Sequence, residues 1–322
     1  MKAIQILCLI CCFLLYNCEY HIKQEVDSVK EDINKTTGQY ITILGVAQDA
    51  GFPQINCNKD CCNTFYKGEE TKQLVSCLGL VDMVSKQKWL FDATPDITVQ
   101  TQLLKDHHLD NGKVVDGVFL THAHIGHYTG LMQFGREALG AKNIPVYAMP
   151  KMKRYLETNG PWSQLVNLNN IELKSLENKV SLKLNNYIQV TPFLVPHRDE
   201  YSETVGYKIE GNRKSTLFIP DIDKWHKWNQ SIVEEVKKVD YAFLDASFFS
   251  NGELKRDMSL IPHPFITETT TLFKNEALET KQKIYFIHFN HTNPAIKNQH
   301  RLKDSIKKLG FNFAKQGDNF KL

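Results

Sequence analysis

The chain has a single long apolar run, and it ends early. AIQILCLICCFLLY, residues 3–16, falls short of the about 20 residues that a membrane-spanning helix needs. Charge of one sign is equally scarce. Lys and Arg number 39 against 36 Asp and Glu, a net +3. No basic stripe interleaved with aromatic residues occurs, so nucleic acid is not an expected partner. The lysine-rich stretch at residues 297–308 reads as a solvated helix face. From Tyr40 onward there is neither a linker nor an internal repeat. With 42% hydrophobic and 23% charged residues, the composition is that of a soluble globular protein, and residues 39–322 read as one domain.

The apolar run has the length of a signal-peptide core and follows Met1-Lys2. It ends in L-L-Y-N-C, which puts Cys18 where a bacterial lipoprotein carries its lipid-modified cysteine, although Asn17 stands where Gly, Ala or Ser is usual. Residues 19–38 are polar, as a tether is. The expectation is a signal peptide over 1–17, a tether over 18–38 and export to the cell envelope, with membrane contact only through a lipid anchor at Cys18. An uncleaved apolar anchor is the alternative. Cys8, Cys11, Cys12 and Cys18 belong to this leader. The body keeps only Cys57, Cys61, Cys62 and Cys77, too few for a disulfide-built scaffold. The close trio C-x3-C-C points to a metal, with disulfides as the alternative in an oxidising compartment.

Strand and helix patterns alternate along the body. YITILGV, CLGLVDMV, KWLF, VVDGVFL and IPVYAM read as strands. Thr94-Pro95-Asp96 opens a helix to about Leu104, HYTGLMQFG starts another, and PKMKRYLE carries Pro150 at its start. IELK, VSLKL, YIQVTPFLV, TVGYKIE and STLFIP are strands. SIVEEVKK, YAFLDAS, TETTTLFK, KIYFIHF and residues 295–309 then read as helix, strand, helix, strand and one long helix. Such alternation implies a layered α/β architecture around buried sheets.

Four of these strands run into polar residues at their C-terminal ends, where α/β proteins build sites. VVDGVFL ends in THAHIGH, with His122, His124 and His127. YIQVTPFLV leads to His197-Arg198, STLFIP to Asp221, and KIYFIHF carries His288 before Asn290 and His291. His122 and His124, two apart in extended backbone, project to the same side. His127 follows at a helix start, and imidazoles so placed can converge on a zinc ion. Asp92 and Asp245 follow apolar runs and suit hydrogen bonds to ligand histidines. His107-His108 ends a helix, where a cation suits the dipole. His21, His226 and His300 read as surface residues.

The pieces THAHIGHYTGL, VPHRDEYSETVGY, LFIPDIDKW and YFIHFNHTNP, in this order, resemble the metallo-β-lactamase superfamily. The opening ILGVAQDAGFPQINC, with FIPDIDKW and IHFNHTNP, is similar to its branch of pyrroloquinoline quinone biosynthesis B proteins. The resemblance implies a four-layer αββα sandwich. It places a first metal on His122, His124 and His197, with Asp221 bridging to a second metal on His127 and His288. The family's H-x-H-x-D-H carries an Asp where this chain has Gly126, so the second site is expected to be one ligand short. The B proteins also carry a cysteine-rich structural zinc loop. Its counterparts are Cys57, Cys61 and Cys62, with His263 of IPHPF as the candidate fourth ligand.

The chemistry that follows is hydrolysis of an ester, phosphodiester, lactone or amide in a small-molecule substrate. Zinc would activate water, Asp221 would hold it, and His127 and His288 would complete the second site or steady the transition state. Arg198, Tyr201, His291 and Asn293 are candidate substrate contacts. An iron-dependent oxidoreductase or hydroxylase in quinone cofactor biosynthesis, or a non-catalytic metal or ligand binder, are the other classes the residues allow. Oligomeric state is not legible.

Overall fold

Alternation in the first strand is shared between two cores. In β1 (Gln39–Gly45), Ile41 and Ile43 face one apolar cluster and Tyr40 and Leu44 face another, so every residue of the strand is buried. A strand covered on both sides lies in an inner layer. The computed structural model describes residues 37–322 apart from 199 and 299, and Gly38–Leu322 forms one compact unit. The proposed signal peptide, Cys18 and all but the end of the tether lie outside the described residues. Among the described residues no helix is long and apolar enough to cross a membrane.

The first sheet runs β14-β1-β2-β3-β4-β5-β6, with β2 (Cys77–Asp82), β3 (Gln87–Phe91), β4 (Gly117–Phe119), β5 (Ile144–Ala148), β6 (Ile171–Ser175) and the last strand β14 (Asn319–Lys321). The second runs β13-β12-β11-β10-β9-β8-β7, with β7 (Leu182–Lys183), β8 (Gln189–Leu194), β9 (Val205–Glu210), β10 (Ser215–Ile219), β11 (Tyr241–Asp245), β12 (Ile284–Ile287) and β13 (Asn312–Phe313). One large core holds Ile41, Leu80 and Phe91 of the first sheet with Val190, Tyr207 and Leu217 of the second. A separate core packs the other face of the first sheet against the helices Ile97–His107, Pro150–Thr158 and Trp162–Asn167. On the second sheet the helices Ile232–Lys237, Ile266–Leu272 and Arg301–Lys308 contribute Val236, Ile266 and Ile306. The layers are helix, sheet, sheet, helix: the metallo-β-lactamase sandwich.

Strand direction explains where the site is built. Within the first sheet β1, β3 and β4 point the same way, β1 through two antiparallel neighbours. Within the second, β8, β10, β11 and β12 do likewise. Asp49, Asp92, His122, His197, Asp221 and His288 follow the ends of these strands, and Asp245 is the last residue of β11.

Two expected elements differ. The helix over 295–309 is two pieces. Asn293 caps a short 3-10 turn over Pro294–Ile296, the chain then extends at Lys297, and His300 caps the helix Arg301–Lys308 through Leu302 N. The helix after the histidines is one α-turn, Ile125–Tyr128, continued as a 3-10 turn over Thr129–Phe134. Helix Asp60–Tyr66 and strands β13 and β14, absent from the sequence reading, also form.

Candidate metal centre

At the end of β4 the backbone stays extended as far as His124, then turns, with His127 N donating to His124 O at 2.9 Å. The rings of His122 and His124 accordingly lie on the same side, 4.3 Å apart, and the turn brings the His127 ring to 4.3 Å from His122. His197 arrives from beyond β8 and Asp221 from the end of β10. Asp221 is the pivot. Its Oδ2 lies 3.3 Å from His122 Nε2 and 3.8 Å from His124 Nδ1, and its Oδ1 lies 3.2 Å from His197 Nε2. The same Oδ2 is 3.7 Å from His127 Nε2 and 3.9 Å from His288 Nε2.

These donors converge on common points. His122 Nε2, His124 Nδ1, His127 Nε2, His197 Nε2, His288 Nε2, Asp221 Oδ1 and Asp49 Oδ1 are buried and make no aligned hydrogen bond. Bonds of about 2.0–2.1 Å to a tetrahedral ion put neighbouring donors about 3.3 Å apart. The 3.2 and 3.3 Å separations around Asp221 have that size. Two groups can therefore hold a metal: His122, His124, His197 and Asp221, and Asp49, His127, Asp221 and His288.

The ring orientations are fixed from behind. Asp92 accepts from Thr121 N at 2.8 Å, from Thr121 Oγ1 at 3.0 Å and from His127 Nδ1 at 2.7 Å. Thr121 Oγ1 in turn accepts from His122 Nδ1 at 3.0 Å. Across the site Asp245 accepts from Ser247 Oγ at 2.8 Å, and that hydroxyl accepts from His288 Nδ1 at 2.9 Å. Each arrangement commits Nδ1 to the scaffold and leaves Nε2 for the centre. His288 holds φ at +66°, a left-handed conformation costly for a non-glycine residue, sustained by these bonds. Burial opposes charge on Asp221, yet His197, His263 and His288 outweigh it and hold its carboxyl well below the usual range. On His127 burial is outweighed by Asp92 and Asp49, and its pKa is well above the ordinary imidazole value.

Asp49 belonged to no expectation. The second group is not one carboxylate short at Gly126: Asp49, from the loop after β1, stands 3.2 Å from His127 Nε2 and 3.6 Å from His288 Nε2. The nearest signal in the sequence was the missing acid itself, which called for a carboxylate from elsewhere.

A second correction concerns His263. It does not join the cysteines. The loop after β11 carries it into the centre, where Nδ1 lies 2.9 Å from Asp245 and 3.0 Å from Asp221. Burial opposes its charge, but the two carboxylates push its pKa up to about 10. The cysteines meet His291 instead. Cys62 Sγ and Cys61 Sγ lie 3.3 and 3.6 Å from His291 Nδ1, and Cys57 Sγ lies 3.7 Å from Cys61 Sγ. Metal–sulfur bonds of about 2.3 Å and metal–nitrogen bonds of about 2.0 Å give tetrahedral edges of about 3.8 Å between sulfurs and about 3.5 Å between sulfur and nitrogen. The four residues fit a closed metal site, and all four cysteines of the described residues are free rather than disulfide-bonded.

Two of the four substrate candidates also have other work. His291 is the partner of the thiols. Asn293 is buried, donates to Ala246 O at 2.8 Å and caps Ala295 N, which makes it a fastener of the loop after β12. Arg198 is exposed beside His197, and Tyr201 is exposed with its ring 5.3 Å from that of Tyr155. Likewise His108 is not a cation at a helix end. It is wedged against Tyr40 Oη at 3.1 Å and Thr42 Oγ1 at 3.3 Å, and burial lowers its pKa to about 4. His107 and His226 are exposed.

A beta-lactamase superfamily domain profile matches residues 87–289. Coenzyme PQQ synthesis protein B of Nitrosococcus oceani is 24% identical over 311 residues, covering 86% of this chain and 98% of that protein. Among solved structures, zinc-bound PqqB from Methylobacterium extorquens superposes with a TM-score of 0.72 at 20% identity, over 88% of this chain and all of that one. A diphosphatase of the PhnP family does so with a TM-score of 0.62, also at 20% identity, over 88% of this chain and 97% of that one.

Proposed function

The chain belongs to the metallo-β-lactamase superfamily, and from that premise we propose that it is a zinc-dependent hydrolase of a small ester, phosphodiester, lactone or amide. The observation that carries the reading is the convergence of unpaired imidazole nitrogens and carboxylate oxygens on Asp221. His122, His124 and His197 would hold one ion beside Asp221, and His127 and His288 would serve a second. Bound there, a divalent cation supplies Lewis acidity and lowers the pKa of water from about 16 to about 7. The protein's share is orientation and proton handling. Asp221 faces both donor groups, so its carboxylate can hold the attacking water and accept its proton. Asp92, Thr121 and Ser247, the last held by Asp245, take the Nδ1 of His127, His122 and His288 and so leave each Nε2 aimed inward. Arg198 and Tyr201, both exposed on the segment that follows His197, are assigned to substrate. Cys57, Cys61, Cys62 and His291 would hold a structural zinc apart from the two donor groups on Asp221.

The zinc-bound PqqB structure supports the choice of metal, and the PhnP-family diphosphatase supports hydrolysis. The relatives named for PQQ synthesis share this fold. The test is metal content of the purified chain together with turnover of a panel of aryl phosphodiesters, carboxylic esters, lactones and amides. Zinc, with hydrolysis abolished by chelation and restored by zinc, is the expected result. Stoichiometric iron with oxygen uptake, or no turnover of any class by the zinc-loaded protein, refutes it.

A further inference from the structure

Gly126 and Asp49 occupy one place. A Cβ built on Gly126 would lie 2.4 Å from Asp49 Oδ1, 2.5 Å from its Cα and 2.9 Å from its Cβ. Real Cβ atoms do not approach that closely, so any side chain at 126 would have to displace the backbone of residue 49. The space where the family's H-x-H-x-D-H sends a carboxylate is thus filled here from the opposite direction. Asp49 Oδ1 lies 3.2 Å from His127 Nε2, the separation a shared ion sets, and it is buried without an aligned hydrogen bond. The segment is held in that position. Phe289 N donates to Val46 O and Gln48 N to Phe289 O, both at 2.8 Å, which docks the end of β1 beside His288.

We propose that the second-ion carboxylate has moved in this chain from position 126 to Asp49, so that Asp49, His127, His288 and Asp221 form a complete second site. The inference rests on the metal-centre reading above and adds a ligand that the H-x-H-x-G-H motif alone would deny. It also makes glycine at 126 a requirement: the residue stays small because its partner's backbone lies against it. The first site shares only Asp221 with this arrangement, so loss of Asp49 leaves His122, His124 and His197 in place.

The experiment is metal counting on the full chain loaded with Zn2+ or Co2+, wild type against Asp49→Asn, a change that keeps size and removes charge. With the thiol site filled, wild type is expected to carry one ion there and two at the centre. Asp49→Asn keeps the thiol ion and one centre ion, and its second-ion affinity falls by more than about 100-fold, beyond what loss of an outer hydrogen-bond partner costs. Gly126→Ala, which pushes the same carboxylate aside, shows the same loss; if it does not fold, Asp49→Asn decides alone. Two ions at the centre of Asp49→Asn with unchanged affinity, or only one in wild type, overturns the proposal. Because ions and not products are counted, this outcome is independent of whether hydrolysis is found.

Discussion

The two sheets deliver matching devices to the centre from opposite sides. On the first, Asp92 holds one imidazole directly, that of His127, and a second through a hydroxyl, that of His122 by way of Thr121. On the second, Asp245 holds His263 directly and His288 through Ser247. Each sheet also pairs three antiparallel strand contacts with three parallel ones, and both devices sit at the C-terminal ends of strands that have a parallel neighbour. The difference lies in what the directly held imidazole does next. His127 turns its Nε2 to Asp49 and Asp221, within a donor group. His263 places the Nδ1 that contacts Asp245 against Asp221 as well, so it balances two carboxylates. The same parts make a candidate metal donor on one side and a counter-charge on the other.

Removing what both halves share has the largest expected effect. Asp221→Asn abolishes the pivot, and kcat/KM on whichever panel substrate is hydrolysed should fall on the order of 10^3-fold or more, the scale of a positioned acid or base. Next comes the first device alone. Asp92→Asn releases His127 and the Thr121 bridge to His122 together, and zinc affinity measured by calorimetry should weaken about 10–100-fold. Ser247→Ala on the second side removes the hydroxyl that contacts both His288 and His263, but of these only His288 belongs to either donor group on Asp221, so the loss should be smaller than for Asp92→Asn and confined to the second ion. Equal losses in both variants would erase the distinction between the sides.

The smallest effect lies away from the centre, at His108. Its folded-state pKa of about 4 is below the ordinary value near 6.5, so the neutral ring is the one the fold accommodates. Its contribution is intact above pH 6.5, is lost progressively as pH falls toward 4, and levels off below that. His108→Asn should flatten that part of a denaturation-midpoint profile while leaving zinc binding at neutral pH unchanged. An unaltered profile would count against the buried neutral ring.

Much of this was legible in the residues because the carrying signals are local. Spacing by two put His122 and His124 on one side, and apolar runs ending in polar residues marked His197, Asp221 and His288. Those strand ends do meet, and Asp92 holds His127 as its position suggested, whereas Asp245 holds His263 and reaches His288 only through Ser247. What could not be read depends on pairing between distant segments. Asp49 reaches the centre only because the end of β1 bridges to Phe289. The choice between His263 and His291 as partner of the thiols turns on which loop, after β11 or after β12, lies over helix Asp60–Tyr66. His108 was read as a helix-end cation because nothing local shows Tyr40 and Thr42 across from it.

The cysteine loop has a consequence for anyone altering it. The chain that leaves Asp49 runs on to Cys57, and the chain that leaves His288 runs on to His291. The thiol cluster is therefore a brace whose two arms end at Asp49 and His288, two members of one donor group. Cys62→Ala, which breaks the cluster, should slacken both arms together, so that a metal added to Asp49, His127, Asp221 and His288 would exchange faster while one added to His122, His124 and His197 would not.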